Sequence, residues 1–326
     1  MNQSQFEHAY QDLWAEFGQM LELLESEGRG VSLKDVDLPS FPARYRQLCN
    51  HYGLALSRHY SPALVDRLHA LVLNGHRQLY RQDKTFLWQG IRFISRDFPK
   101  TIRATAGAFF LAFLLFFGPA IGVGIATFHD PVLIYSILAE SQVGEMESMY
   151  NPQNRKIGRS AKRDGETDFA MFGFYIMNNI SIGFRTFAGG ILFGTGSAFF
   201  LLYNGLMIGS VAGHLSHQPF GAVFWPFVSG HAAYELTAIV ICGAAGLTLG
   251  GSLIMPGNLT RKDSLRANAP TALSLVIGAA IMLVCAAFIE AFWSPSGLEP
   301  KIKYWVAGLN WLVVFLYLSF CGRGHQ

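Results

Sequence analysis

Apolar runs long enough to cross a bilayer recur along the chain from Ala104 onward, and they limit the possible folds more than any other feature. A helix needs about 20 consecutive apolar residues to span the hydrocarbon core. Only 14% of the 326 residues are charged, against roughly 25% in soluble domains. Residues 1–103 are polar and rich in charge by comparison. The sequence therefore predicts an all-α membrane protein with a soluble N-terminal domain.

Three apolar stripes at three- and four-residue steps predict three amphipathic helices within residues 1–84. The first is expected to end near Gly28 and Gly30, and the third to begin with Ser61 as N-cap and Pro62 at its first position. Together they predict a small helical bundle. The acidic N-terminus does not resemble a signal peptide, so we expect this bundle to stay in the cytoplasm.

Residues 85–103 interleave basic and apolar side chains, which predicts an amphipathic helix lying on the membrane surface. Arg92, Arg96, Lys100 and Arg103 are the expected contacts with anionic lipid. A nucleic-acid patch is the alternative for a basic stretch. The adjacent spanning helix argues against nucleic acid and favours the lipid bilayer as the partner.

Residues 104–326 are predicted to form a polytopic membrane domain. Six spans are expected, at about 104–128, 170–188, 190–213, 229–254, 271–293 and 305–321. Basic residues near spans stay cytoplasmic, which places both termini, Arg185 and the loop holding Arg261, Lys262 and Arg266 on that side. The loop 129–169 then lies outside. The short span 170–188 could instead be re-entrant.

One feature fits this topology poorly. The external loop 129–169 carries a basic cluster, which consists of Arg155, Lys156, Arg159, Lys162 and Arg163.

Five polar side chains interrupt the apolar segments, namely Asn178, Asn204, His231, Glu235 and Glu290. Ionisable groups are costly in hydrocarbon and persist where they face one another, a partner or water. His231 and Glu235 are four residues apart and share a helix face. All except Asn178 fall in the same half of the membrane, which predicts one buried site. Two roles stay open, a structural one in helix packing and a path for protons, ions or a small solute.

Glycines recur at four-residue steps in three rows, which lie in two of the predicted spans. Such rows let helix backbones approach closely, and they predict internal helix packing in preference to a dimer seam. The expected assembly is nevertheless a homo-oligomer, with a dimer favoured. The glycines are Gly190, Gly194, Gly205, Gly209, Gly213, Gly246 and Gly250.

Signatures of catalysis are missing from the sequence. It contains no H-E-x-x-H, no G-x-S-x-G elbow, no P-loop and no dinucleotide fingerprint, so no enzymatic activity and no cofactor are expected. The four cysteines lack C-x-x-C spacing, which excludes a zinc ribbon. His214 and His217 could join His231 as metal ligands. Paired loop histidines are more often incidental, so no metal site is predicted.

Several short stretches together resemble the stage II sporulation protein M family, among them Asn-Gly-Leu-Met-Ile-Gly at 204–209, His-Ala-Ala-Tyr-Glu-Leu at 231–236 and Ala-Phe-Ile-Glu-Ala-Phe at 287–292. The resemblance implies a polytopic protein of the bacterial inner membrane. The long soluble N-terminal domain is similar to that of family members in non-sporulating bacteria, which are encoded near MoxR-type ATPases. It implies a non-catalytic scaffold or remodelling role in an envelope system, with a MoxR-type ATPase system as cytosolic partner.

Overall fold

The protein folds as two compact units, Met1–Gln89 and Gly90–Gln326, each with its own hydrophobic core. The computed structural model describes residues 1–26, 40–79, 84–153, 165–217 and 219–323. Within these ranges every regular element is helical. The all-α architecture predicted from the sequence is therefore confirmed.

The N-terminal unit contains helices α1 (Gln3–Ser26), α2 (Phe41–Ser57) and α3 (Pro62–Leu79). Their apolar stripes face one another, as amphipathic patterning requires. Inside the core, Trp14 Nε1 donates a hydrogen bond to His51 Nδ1 over 3.1 Å. The predicted end of the first helix near Gly28 and Gly30 lies outside the described residues. The buried core consists of Phe6, Trp14, Phe17, Leu21, Phe41, Leu48, Ala55, Leu64 and Leu68.

The predicted surface helix is built from α4 (Lys84–Arg92), a π turn (Phe93–Asp97) and α5 (Phe98–Ala104). Pro99 stands in the first turn of α5 and has no backbone N–H, so the α-helical bond pattern cannot continue through it. The π turn is the local adjustment that keeps the chain helical.

The two halves of this segment bury different amounts of apolar surface. Leu87, Trp88 and Ile91 are 55–71% exposed on α4, as expected for side chains that dip into lipid. Phe98 and Ile102 on α5 are instead buried in the core of the membrane domain. The start of the segment thus exposes its apolar side chains, and its end packs into the core of the second unit.

The four basic residues of this segment have different surroundings. Arg96 and Lys100 are exposed, and Arg92 Nε lies 3.5 Å from Asp97 Oδ2. Arg103 was expected at the lipid surface, but its guanidinium donates to the carbonyls of Leu318 and Cys321 at 2.7 Å each. It therefore caps the end of the last helix, because the final carbonyls of a helix lack partners within it.

Among the described residues of the second unit, five helices are long and apolar enough to cross a membrane. They are α6 (Ala106–His129), α9 (Thr195–Leu215), α10 (Gly221–Ile254), α11 (Arg261–Phe288, extended by the π segment Ile289–Trp293) and α12 (Pro300–Phe320). α10 and α11 begin earlier than the predicted spans at 229 and 271, because helices continue past the hydrocarbon. The 34 residues of α10 extend for about 51 Å.

The predicted span 170–188 lies in α8 (Gly165–Ala188), which is not among those five. Its acidic first turn and its two adjacent asparagines make it more polar than the other helices. At 24 residues it is about 36 Å long, which is sufficient to cross. It packs against α10 and α11, with Gly183 facing Cys242 and Leu283.

The direction of α8 follows from the packing of its neighbours. Gly205, Gly209 and Gly213 of α9 contact Phe116, Ala120 and Gly124 of α6 in the same order, so α6 and α9 run parallel. The chain leaves α6 at one end and must return to the other end before α9 begins. α8 is the element that carries it back.

The other predicted glycines also lie at close helix contacts. A Cβ on Gly190 would overlap the backbone of Gly246, and one on Gly250 would overlap Gly194. Gly194 itself has a φ of +79° and turns the chain into α9, a conformation that disfavours residues with a side chain. All these glycines therefore lie at contacts between elements of the same chain.

The described part of the loop 129–169 contains regular elements. It contains a 3₁₀ turn (Pro131–Ser136) and helix α7 (Glu140–Tyr150), which pack through Ile134, Leu138 and Val143 on α9. The predicted basic cluster at 155–163 lies outside the described residues.

Candidate functional site

Three ionisable side chains meet between α10 and the end of α11. His231 and Glu235 come from α10 and Glu290 from the π segment, and each offers one ligand atom within 4.8 Å of the other two. His231 Nε2 lies 3.6 Å from Glu235 Oε2. His231 is 4% exposed, and the Glu235 side chain is 18% exposed. We refer to these three residues as the α10–α11 polar group.

Local geometry explains how the three side chains converge. His231 and Glu235 stand four residues apart, so they project from one face of α10. The π segment is wider than an α-helix and rotates the side chains that follow, and Glu290 lies within it. Small residues bring the two helices together, since Ala233, Ala238, Ala286 and Ala287 are fully buried.

A network of hydrogen bonds holds the imidazole of His231. Its Nδ1 lies 3.1 Å from Ser294 Oγ. The buried ammonium of Lys303, at the start of α12, donates to the Ser294 carbonyl at 2.6 Å. Asn310 Nδ2 of the same helix donates to the Gly230 carbonyl at 2.8 Å. α12 thus braces the segment of α10 that carries His231.

The structure buries Asn179 of α8 and exposes its neighbour, the predicted Asn178. Asn178 was predicted in the buried cluster but is exposed, and its amide donates to Asn179 Oδ1 at 3.2 Å. Asn179 is 2% exposed and its carboxamide faces Glu290.

Asn204 does not join the α10–α11 polar group. Its Nδ2 donates to the Phe200 carbonyl of the same helix at 2.7 Å. A carboxamide can satisfy itself within its own helix in this way.

His214, in the last turn of α9, and His217, just after that helix, have partners other than His231. His214 Nε2 lies 2.8 Å from Glu147 Oε1 on α7. His217 Nε2 bonds the Phe128 carbonyl at 2.7 Å, and its ring stacks on Phe128. The first contact holds α7 against α9, and the second holds the end of α6 against the segment that follows α9.

Sequence reasoning missed three residues around the site, Asn179, Ser294 and Lys303. Asn179 precedes Gly183 and Thr186 by four and seven residues, and these small side chains mark the buried face of α8. Ser294 follows Glu290 by four residues. Lys303 gave no signal, because a lysine beside an apolar run is expected to reach water.

The donor atoms of the α10–α11 polar group could hold a cation. The group offers one imidazole nitrogen and two carboxylates, and all three can ligate a divalent metal. Without a cation, two carboxylates this close repel each other in a medium of low dielectric constant.

Comparisons with known proteins agree with the resemblance noted in the sequence. Residues 109–295 match the family described as Stage II sporulation protein M (SpoIIM), and residues 4–81 match a domain of unknown function (DUF8413). No curated protein and no solved structure matches the chain. The SpoIIM match covers more than half of the chain and includes the whole α10–α11 polar group. The chain therefore belongs to the stage II sporulation protein M family.

Proposed function

We propose that this family member is a non-catalytic scaffold or remodelling component of an envelope system in the bacterial inner membrane. The observation that carries the proposal is the division of the chain into two units with separate hydrophobic cores. The first is a helical bundle without membrane-spanning helices among its described residues. A bundle tethered to a membrane domain in this way suits the reception of a soluble partner in the cytoplasm.

The proposed partner is a MoxR-type ATPase system. Full-length protein in nanodiscs and a chain shortened to residues 84–326 would be titrated with such an ATPase from the same bacterium. We expect saturable binding to the full-length protein and none to the shortened chain. Equal binding to both would contradict a receiving role for the N-terminal unit.

The proposed assembly is a homodimer. The glycines of α9 already contact α6, so a dimer would use another surface. Mass photometry of the protein in nanodiscs should find two chains per particle. A single chain per particle at all concentrations would remove the dimer from the proposal.

A second candidate function is a path for cations, and the convergence of three ionisable side chains inside membrane-spanning helices favours it. Glu235→Gln keeps the size and hydrogen bonding of the side chain and removes its charge, whereas Glu235→Leu removes both. If the group serves packing alone, Gln should leave the melting temperature nearly unchanged and Leu should lower it.

The same two variants test conduction. Wild-type protein in liposomes would be assayed for cation flux beside both variants and protein-free vesicles. Packing alone predicts no flux above the empty vesicles in any sample. Flux in the wild type that Gln abolishes, at an unchanged melting temperature, would establish the path and displace the scaffold as the main function.

A further inference from the structure

The α10–α11 polar group has the donor set and spacing of a metal site. Ligand atoms bound at about 2.0–2.2 Å in a tetrahedral arrangement lie roughly 3.3–3.6 Å apart. The 3.6 Å between His231 Nε2 and Glu235 Oε2 meets this spacing. Glu290 lies within 4.8 Å of both, a gap that rotation about its side-chain bonds can close.

The hydrogen bonds around His231 prepare the imidazole to ligate. When the Nδ1–H group donates a hydrogen bond to Ser294 Oγ, Nε2 is unprotonated and its lone pair points to the glutamates. Metal-bound histidines almost always donate their other ring N–H in this way. Lys303 in turn donates a hydrogen bond to the Ser294 carbonyl. The imidazole is therefore oriented by Ser294, and Ser294 is held by Lys303.

Asn179 can position one carboxylate of the group. Its side chain is buried and interacts with the side chain of Glu290. If Glu290 turns one oxygen to a metal, its second oxygen becomes a defined acceptor for Asn179.

Charge and ligand type together select the class of ion. Two carboxylates carry a charge of −2 when both ligate, which a divalent cation balances inside the apolar helices. An imidazole ligand favours zinc, iron or manganese over magnesium and calcium, which prefer oxygen ligands throughout.

We propose that His231, Glu235 and Glu290 bind one divalent transition-metal ion, with Asn179 and Ser294 as positioning residues. This inference goes beyond the scaffold role and does not rest on it. It also departs from the sequence-based expectation of no metal site. His231 does take part, but its partners are two glutamates and not the loop histidines.

The test uses full-length protein in nanodiscs, stripped with a chelator and without an affinity tag. Binding of Zn²⁺ and Mn²⁺ would be measured by calorimetry, by metal analysis and, for Mn²⁺, by electron paramagnetic resonance. We expect one tightly bound ion per chain and weaker binding of Mg²⁺. Glu290→Gln and His231→Gln should each weaken binding by at least about tenfold.

Matched controls come from the external His–Glu pair. His214 and Glu147 lie 2.8 Å apart but are not part of a described group of three ligands. His214→Gln and Glu147→Gln should therefore leave the tight site unchanged. Ser294→Ala keeps all three ligands and should weaken binding by several-fold. This variant still tests the proposal if the ligand variants fail to fold.

Three results would overturn the proposal. These are the absence of a tight ion in the wild type, tight binding that survives Glu290→Gln in folded protein, and loss of tight binding in the Glu147→Gln control. None of them bears on capture of the ATPase, so failure of the metal site and failure of the scaffold role can be told apart.

Discussion

His51 shows how a single titratable residue can make the stability of the N-terminal unit depend on pH. It is 9% exposed and packs on Tyr10, with the ring centroids 4.1 Å apart. Its Nδ1 accepts a hydrogen bond from Trp14, an arrangement that requires a neutral ring nitrogen. Burial lowers the pKa of His51 below its usual value of 6.5, because a charged imidazole loses its hydration inside the core.

The sign of the effect follows from linkage. Below pH 6.5 the unfolded chain binds a proton at His51 that the folded chain resists, so stability should be greatest above that pH and fall as the pH drops towards the folded-state pKa. Urea denaturation of fragment 1–79, followed by fluorescence of its single tryptophan, would measure this. His51→Gln should flatten the pH dependence and the exposed His8→Gln should not. A slope that survives His51→Gln would contradict the assignment.

Residue patterns predicted some of the residues that form the site but not all of them. The i, i+4 spacing of His231 and Glu235 and the apolar setting of Glu290 identified the three residues that converge. One step along a helix turns the side chain by about 100°, and for this reason Asn178 is exposed while Asn179 is buried. Long-range packing brings Ser294 and Lys303 to the site, and local sequence patterns do not predict such packing.

At the scale of elements, α6 and α9 depend on backbone contact through the row Gly205, Gly209 and Gly213. Close approach matters here because association of helices in lipid relies on van der Waals packing. A Cβ on Gly209 would overlap Ala120, whereas one on Gly118 would meet nothing within 4 Å. Gly118 lies on α6 outside this contact and is therefore the matched control for Gly209.

Gly209→Ala should therefore destabilise the membrane domain by roughly 1–3 kcal/mol, the usual range for overpacking. Gly118→Ala should be neutral or stabilise by up to about 1 kcal/mol, since alanine restricts the unfolded chain more than glycine does. Thermal unfolding of both variants in the same detergent would compare them. Equal melting temperatures would show that the α6–α9 contact does not limit stability.

The sequence predicted the types of the elements more accurately than their boundaries. Hydropathy located the five apolar helices, but it placed the starts of α10 and α11 eight and ten residues too late. The missing turns are polar or carry Pro226 and Pro270, which a search for apolar runs excludes. α8 is harder to recognise as a span because it is more polar than the other helices. Its polar face is covered by α10 and α11 instead of lipid.

At the scale of the whole molecule, the number of crossings depends on α8. The parallel contacts between α6 and α9 place the ends of these helices on the same side. α7 follows α6 and packs on the last turns of α9, which agrees with this placement. A chain with parallel α6 and α9 needs α8 to cross between them, and six crossings would bring both termini to one face.

Cysteine labelling in a cysteine-free background would test this topology. With six crossings and a cytoplasmic N-terminus, Ser141→Cys in α7 should react with a membrane-impermeant maleimide in intact spheroplasts. Ser57→Cys and Asn258→Cys should react only after permeabilisation. Asn258, between α10 and α11, is the decisive position, since it would lie outside if α8 failed to cross. Labelling of Asn258→Cys in intact spheroplasts, together with protection of Ser57→Cys, would reduce the crossings to five and place the termini on opposite faces.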